Sequence, residues 1–338
     1  MPYRNLIGPG ILLLACIGGC QTPEDTALRR SEPSTARATD ALNTEDAVSD
    51  PLHRIGWSQL TREPSGLDRV GEGPNAVAVA PDGTLLVLDR LGGRIVRVEE
   101  GGVVRALAEV DEDVEDLAVG PDGALVAYSP LRARAWVFEP NGQPAGEVSI
   151  PRSFREVVAI GLDASRVVRV HTVHQETLVV GSPSAPLPLR TAMRTKREGA
   201  FQLADGRGVA ARAKDGKAEL LLLEQPTAET RTRVLAQHAV PGDVKAARIV
   251  GVDGTVACMR TERVTSTPRI SVSRRAVCMD VVTGEITLDE ALPARGDYLP
   301  RRELAVGAGT LAFIHPTTSG LGVYRWSTSG KDAEGGAR

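Results

Sequence analysis

Six times along the chain an apolar run, a short polar turn and a second apolar run follow one another. The six stretches are AVAVAPDGTLLVLD (76–89), DLAVGPDGALVAYS (116–129), VAIGLDASRVVRVH (158–171), GAFQLADGRGVAAR (199–212), ARIVGVDGTVACMR (247–260) and ELAVGAGTLAFIH (303–315). Short apolar or β-branched runs bounded by Asp, Gly and Pro read as strands, and Asp-Gly supplies the positive φ that tight hairpin turns demand. The turn residues Asp82, Asp122, Asp163, Asp205 and Asp253 are spaced by 40, 41, 42 and 48 residues, and a sixth turn lies near Gly309. Each unit continues into a third apolar run, at 93–99, 133–139, 176–182, 218–224, 274–281 and 322–327. The first five add a fourth: VVRALAEV, GEVSIP, PLPLRTAM, RTRVLAQH and EITLDEAL.

The sixth unit has no fourth run, but one orphan strand, IGWSQLTR (55–62), stands before unit one. A four-stranded unit repeated at this period predicts an all-β, six-bladed β-propeller over residues 53–328, with the N-terminal strand closing the last blade. The small residues of the first strands (Ala76, Ala78, Ala80, Ala118, Gly120) fit inner strands crowded around an axis.

The chain before and after this repeat differs in kind. Residues 1–19 carry Arg4 and then an apolar, Gly- and Pro-interrupted run that is too short for the ~20 residues of a membrane-crossing helix. A positive start, an apolar middle and small residues before a cut are a signal-peptide layout. Ile17-Gly18-Gly19-Cys20 resembles the bacterial lipoprotein box, which implies cleavage before Cys20 and lipidation of its sulfur. Cys16 as the modified residue, or an ordinary secretory signal, are the alternatives. Residues 20–52 are rich in Thr, Ser, Ala, Pro and acids, with no aromatic residue, and read as a disordered tether. Residues 329–338 read as a flexible tail. Gln21 after the Cys, rather than Asp, resembles proteins sent to the outer membrane, so the expected location is the cell envelope, on the outer membrane, with the protein held by its lipid.

The stretch GPNAVAVAPDGTLLVLDRLGGRIVRV, closing at Val98, resembles the NHL repeat, and residues 114–138 are a weaker copy. The resemblance implies a propeller and a structural role for Asp89 at the end of a second strand. NHL propellers include scaffolds for proteins or RNA, and related six-bladed proteins include lactonases, lyases and amidating enzymes. Hydrolases of that wider group hold a divalent cation with Glu, Asn and Asp near the axis. Of the four Asn here (Asn5, Asn43, Asn75, Asn141), Asn75 alone lies near such a position, so no metal set carries over.

Composition narrows the chemistry further. The net charge is −3 with no basic block, which gives nucleic acid no electrostatic footprint, and 3% aromatic residues argue against a sugar site of stacked rings. His171 and His174 lie three apart on a strand and so face opposite ways. The acidic run Asp111, Glu112, Asp113, Glu115 and Asp116 reads as a solvated loop. Cys258 and Cys278 flank a hairpin and are equidistant from Pro268, so they face each other either as a disulfide or as two buried thiols.

Six residues beyond each turn glycine or its counterpart stand Asp89, Ser129, His171, Arg212, Arg260 and His315. They close the second strands and are candidates for a ligand face, where two Arg and two His suit an anion or acidic peptide. The sequence therefore points to a non-enzymatic, lipid-anchored scaffold for a protein or envelope component, without a cofactor. A metal-dependent lactonase-like hydrolase or lyase with a diverged site is the alternative.

Overall fold

The structure, a computed structural model, describes residues 49–62, 72–154, 157–225, 232–240, 242–266, 270–294 and 298–329. Cys20, the tether up to residue 48, Pro268 and the tail beyond residue 329 lie outside the described residues. The strands form six antiparallel sheets around one axis, a six-bladed β-propeller.

Blade one comprises Ala76–Val79, Leu85–Asp89, Arg94–Val98 and Val104–Glu109. Blade two comprises Asp116–Val119, Leu125–Ser129, Arg134–Phe138 and Pro144–Ser149. Blade three has Val157–Leu162, Val168–Thr172, Glu176–Ser182 and the two-residue Ala185–Pro186. Blade four has Phe201–Gln202, Gly208–Lys214, Lys217–Glu224 and Arg233–Val240. Blade five is Ala246–Asp253, Val256–Thr265, Ser271–Asp280 and Ile286–Leu292. Blade six takes Leu304–Gly307, Thr310–Pro316 and Gly320–Ser327 from the end of the chain and His53–Gly56 from its beginning.

Side chains alternate along a strand, so each sheet has two apolar faces to bury. In blade one, Val77, Val79, Val87 and Val96 pack toward blade six with Ile55 and Ile314. Their neighbours Ala76, Ala78, Leu86 and Leu88 pack toward Leu117 and Leu125 of blade two. Similar clusters fill the seams between blades two and three, four and five, and five and six. At the seam between blades three and four, polar clamps add to the contact. The Gln175 side chain donates to Ala211 O at 2.5 Å and accepts from Ala211 N at 2.7 Å, while Gly199 N donates to Gln175 O.

The ring closes where residue 55 meets residue 321. His53–Gly56 pairs antiparallel with Gly320–Val323, with Ile55 opposite Leu321 and fully buried. The strand is shorter than the 55–62 expected from sequence, because the chain turns after Gly56 with Gln59 N bonded to Gly56 O. Gly320 is needed for this closure: a Cβ there would sit 2.4 Å from Ile55 O.

The turns follow the chemistry of their residues. Gly83, Gly123 and Gly206 have φ of 80°, 83° and 85°, and the preceding aspartates accept from the backbone N–H two residues on. In blade three the positive φ falls on Arg166 instead. One expected strand is cut short: PLPLRTAM gives only the end of a two-residue strand and then a helix, Leu189–Arg194. Pro186 and Pro188 have no N–H to offer a sheet, and Pro188 precedes a segment of good helix formers. Thr195 Oγ1, accepting from Val179 N at 2.8 Å, fills part of the missing strand's place.

Candidate functional site

The axial end on which the first strands begin is crossed by guanidinium groups. Arg302, just before the inner strand of blade six, spans to blade two, where its Nε lies 2.9 Å from Asp116 Oδ1. Its Nη atoms donate to Asp116 Oδ2, Leu117 O and Ile160 O. Asp116 is fully buried and also accepts from Leu117 N and Ile160 N. Arg301 reaches Glu115 and Val157 O, and Arg248 of blade five donates to Val158 O at 3.2 Å. The inner strand of blade three thus offers carbonyls 157, 158 and 160 to three arginines from blades five and six.

Most of these charges are matched. Glu303, 5% exposed, accepts from Arg260 at 2.7 Å and takes two contacts from the buried Arg274. Arg260 has a second partner in Glu262. Arg248 is the exception: among the described residues it has no carboxylate partner, and its one hydrogen bond is to Val158 O. It also stands directly opposite Arg260 in the blade-five register. Opposed residues of an antiparallel pair project from the same face, and like charges there are destabilising. The Arg248 side chain opens to solvent at the mouth, yet its pKa is lowered, by desolvation first and then by Arg260 and Arg302, with the Asp116 charge opposing.

Deeper in, His171 stacks on Phe201 with ring centroids 4.5 Å apart. Thr177 Oγ1 donates to a carbonyl, Gly199 O at 3.0 Å, and so accepts from His171 Nδ1 at 3.0 Å. The proton is thereby placed on Nδ1, leaving Nε2, which lies beside Gly161, as the ring's acceptor nitrogen. Burial pushes the His171 pKa down to about 3, with Arg302 and Arg169 adding to the shift and a bond to Ala200 opposing it. The ring is therefore a neutral acceptor at physiological pH. His171, Phe201, Ile249, Arg248, Arg260 and Arg302 are among the walls of a cavity of about 220 Å³. A larger cavity of about 600 Å³ at the other end of the axis shares His171, Phe201 and Arg302 with it.

The six residues expected to ring this face do not form one ring. His171 and Arg260 line the axial cavity. Asp89 is buried and accepts from Thr61 N and Arg94, and the buried Ser129 bonds Asp113 and Arg132 N. Arg212 pairs with Glu219 at 2.6 Å, and His315 lies 6.0 Å from the Phe313 ring. Turn geometry explains the scatter. With positive φ at Arg166, the blade-three counterpart of Asp89 is Thr172, and a one-residue shift turns a strand residue to the other face. Blades five and six use two-residue turns, with Asp253 opposite Val256 and Gly307 opposite Thr310, which changes the count again.

Cys258 and Cys278 stand opposite each other in blade five, joined by a disulfide. The acidic run is not uniformly solvated, which corrects the sequence reading: Asp111 meets Arg132 at the surface, while Asp116 is the buried partner of Arg302. Among the described residues, no three His, Cys, Asp or Glu side chains converge as a metal-binding group.

Sequence reasoning missed Arg248, Arg301, Arg302 and Glu303. The available signal was a long charged residue inside an inner strand (ARIVGVD), together with Arg-Arg-Glu immediately before another. The inner strands of blades one and three carry only small or apolar residues.

No protein-family description matches the chain, and no curated protein does. Solved structures with a similar course include a streptogramin B lyase, 12% identical, over 79% of this chain and 98% of that one, TM-score 0.42. A PQQ-bound aldose sugar dehydrogenase from Streptomyces coelicolor is 14% identical over 82% and 96%, TM-score 0.44. A virginiamycin B lyase from Staphylococcus aureus is 11% identical over 73% and 78%, TM-score 0.33.

Proposed function

We propose that this protein is an exported, lipid-anchored propeller that works as a non-enzymatic binding scaffold, receiving an anionic partner at the arginine-lined axial mouth. The observation that carries the reading is Arg248, opposite Arg260 in register and without a carboxylate partner among the described residues. A like-charge pair of this kind costs the free protein stability and is relieved by an anion. The carboxylates near the axis are already engaged, Asp116 by Arg302 and Glu303 by Arg260 and Arg274, so their lone pairs face guanidiniums rather than an open cation site. Export and anchoring are supported by the apolar leader, Cys20 and the polar tether. The NHL-like stretch supports a scaffold role by resemblance.

The test compares the full-length chain with its Arg248→Ala and Arg260→Ala variants for capture of envelope components. A partner retained by the parent and lost from both variants is the expected result. Equal capture by all three removes the axial mouth from consideration. A Cys20→Ala chain should leave the membrane fraction. Turnover on a lactone and ester panel that requires a divalent cation would replace the scaffold reading with the hydrolase one.

A further inference from the structure

We propose that the outer rim of blade three is a lipid-facing surface. The helix Leu189–Arg194 lays Leu189 and Met193 against a bilayer and its arginines against anionic headgroups. This goes beyond the partner at the axial mouth: it is a second contact, made by the folded domain itself.

The helix stands where blade three gives up most of its fourth strand, so its outward side is the edge of the disc. Ala192 is fully buried in the core of blades two and three and fixes which way the helix is turned. Residues four apart in a helix share a face. Leu189 and Met193 are such a pair, 45% and 48% exposed, and Pro186 and Pro188 beside them are exposed as well. Arg190 and Arg194 form the next pair round the helix and are also exposed. An apolar stripe alongside a basic one is the pattern of a helix that rests in a membrane interface.

Charge gives an independent observation. No acid occurs between Glu176 and Glu198, while Arg190, Arg194, Lys196 and Arg197 fall within that span, in a chain of net charge −3. Lys196 pairs with Glu176, but Arg190, Arg194 and Arg197 have no carboxylate partner among the described residues. Elsewhere on the surface Arg132, Arg134, Arg166, Arg207 and Arg212 each have one. An acidic polar partner would neutralise the arginines and leave Leu189 and Met193 in water. A bilayer offers acyl chains and phosphates at adjacent depths, and so meets both stripes.

The chain before the propeller brings such a surface within reach. The tether expected over residues 20–52 spans up to about 100 Å when extended, against roughly 50 Å for the width of a domain this size. It enters at blade six, across the ring from blade three, and is long enough to let that rim meet the surface that holds the lipid. Tethering supplies an effective concentration on the order of millimolar, so a weak contact suffices. Such a contact orients the domain, with the axial mouth opening along the membrane, and is too weak to replace the lipid.

Co-sedimentation with vesicles tests the inference, using residues 20–338 with Cys20→Ala. This chain keeps every described residue and carries no lipid. It should bind weakly to phosphatidylcholine vesicles containing one third phosphatidylglycerol, ignore pure phosphatidylcholine, and be released by high salt. Arg190→Gln with Arg194→Gln should weaken binding about twentyfold, the product of about fivefold for each charge. Leu189→Ser with Met193→Ser should weaken it severalfold and leave the salt dependence unchanged. Both pairs are exposed, so these variants should unfold at the parent's midpoint. Arg248→Ala should bind as the parent does. No binding to the mixed vesicles, or equal binding by either double variant, overturns the inference. Loss of binding in Arg248→Ala would move the lipid site to the axial mouth and refute it too. Envelope capture that is insensitive to Arg248→Ala would instead sink the scaffold reading and leave the vesicle result standing.

Discussion

Asp116 and Arg302 meet across the propeller axis, the carboxylate from blade two and the guanidinium from blade six 2.9 Å apart, with the acid wholly shielded from water. Removing either partner strands a buried charge, which typically costs about 3–5 kcal/mol. Asp116→Asn and Arg302→Met should each lower urea stability by roughly that amount. The double variant should cost clearly less than the two together, since no charge is then left alone. Strict additivity would mean that the pair does not act as a unit.

The closure of blade six gives a second test. Ile55 is fully buried against the seam with blade one, and truncating such a side chain costs about 2–5 kcal/mol. Ile55→Ala should show this loss on denaturant unfolding. Gly320→Ala should be at least as harmful, because its Cβ would press on Ile55 O. A loss under about 0.5 kcal/mol for both would show that the strand is not the clasp.

Stability should also depend on His171 in mild acid. The folded ring stays neutral to a pH of about 3, whereas an unfolded histidine titrates near 6.5. Between those values the unfolded chain holds the extra proton, so its contribution is complete above pH ~6.5 and is lost as the pH falls toward 3. The limit is on the order of 5 kcal/mol. His171→Gln should flatten this part of the pH–stability curve, as read by thermal unfolding from pH 7 to 4. An unchanged slope would falsify the assignment.

The Cys258–Cys278 bridge closes a loop of 20 residues within blade five. Loops of that size gain roughly 3 kcal/mol from a disulfide. Replacing both cysteines with serine, or reducing the protein, should lower the unfolding midpoint accordingly, and an oxidant should restore it only in the parent chain.

The fold was readable in the sequence because its determinants are local. Alternating apolar residues, Asp-Gly turns and an orphan strand at 55 each report on a few neighbours, and six repetitions remove the ambiguity of any one. Blade three departs where local chemistry departs, at Pro186 and Pro188. The axial site was less legible, because it is assembled from residues distant in sequence. His171, Arg248 and Arg302 share a cavity only once the ring is closed. Counting six from each turn reached His171 and Arg260 on the axial cavity, while Asp89, Ser129 and Arg212, which share one turn geometry, hold local partners instead, because turn length sets which face a strand residue takes. Asp116 looked like part of a charged loop, since nothing near it in sequence announces an arginine arriving from blade six.

The clasp between the two ends of the repeat has a kinetic consequence. Trp57 donates to Thr317 O across 260 positions of chain, so the last sheet cannot be completed until nearly all of the polypeptide is available. Extending such a loop adds to its entropy only logarithmically, but contacts this distant in sequence make folding slow. Until then the outer edge of Gly320–Ser327 stays unpaired and open to other strands, which makes the interval before closure the time when the nascent protein is most prone to aggregate.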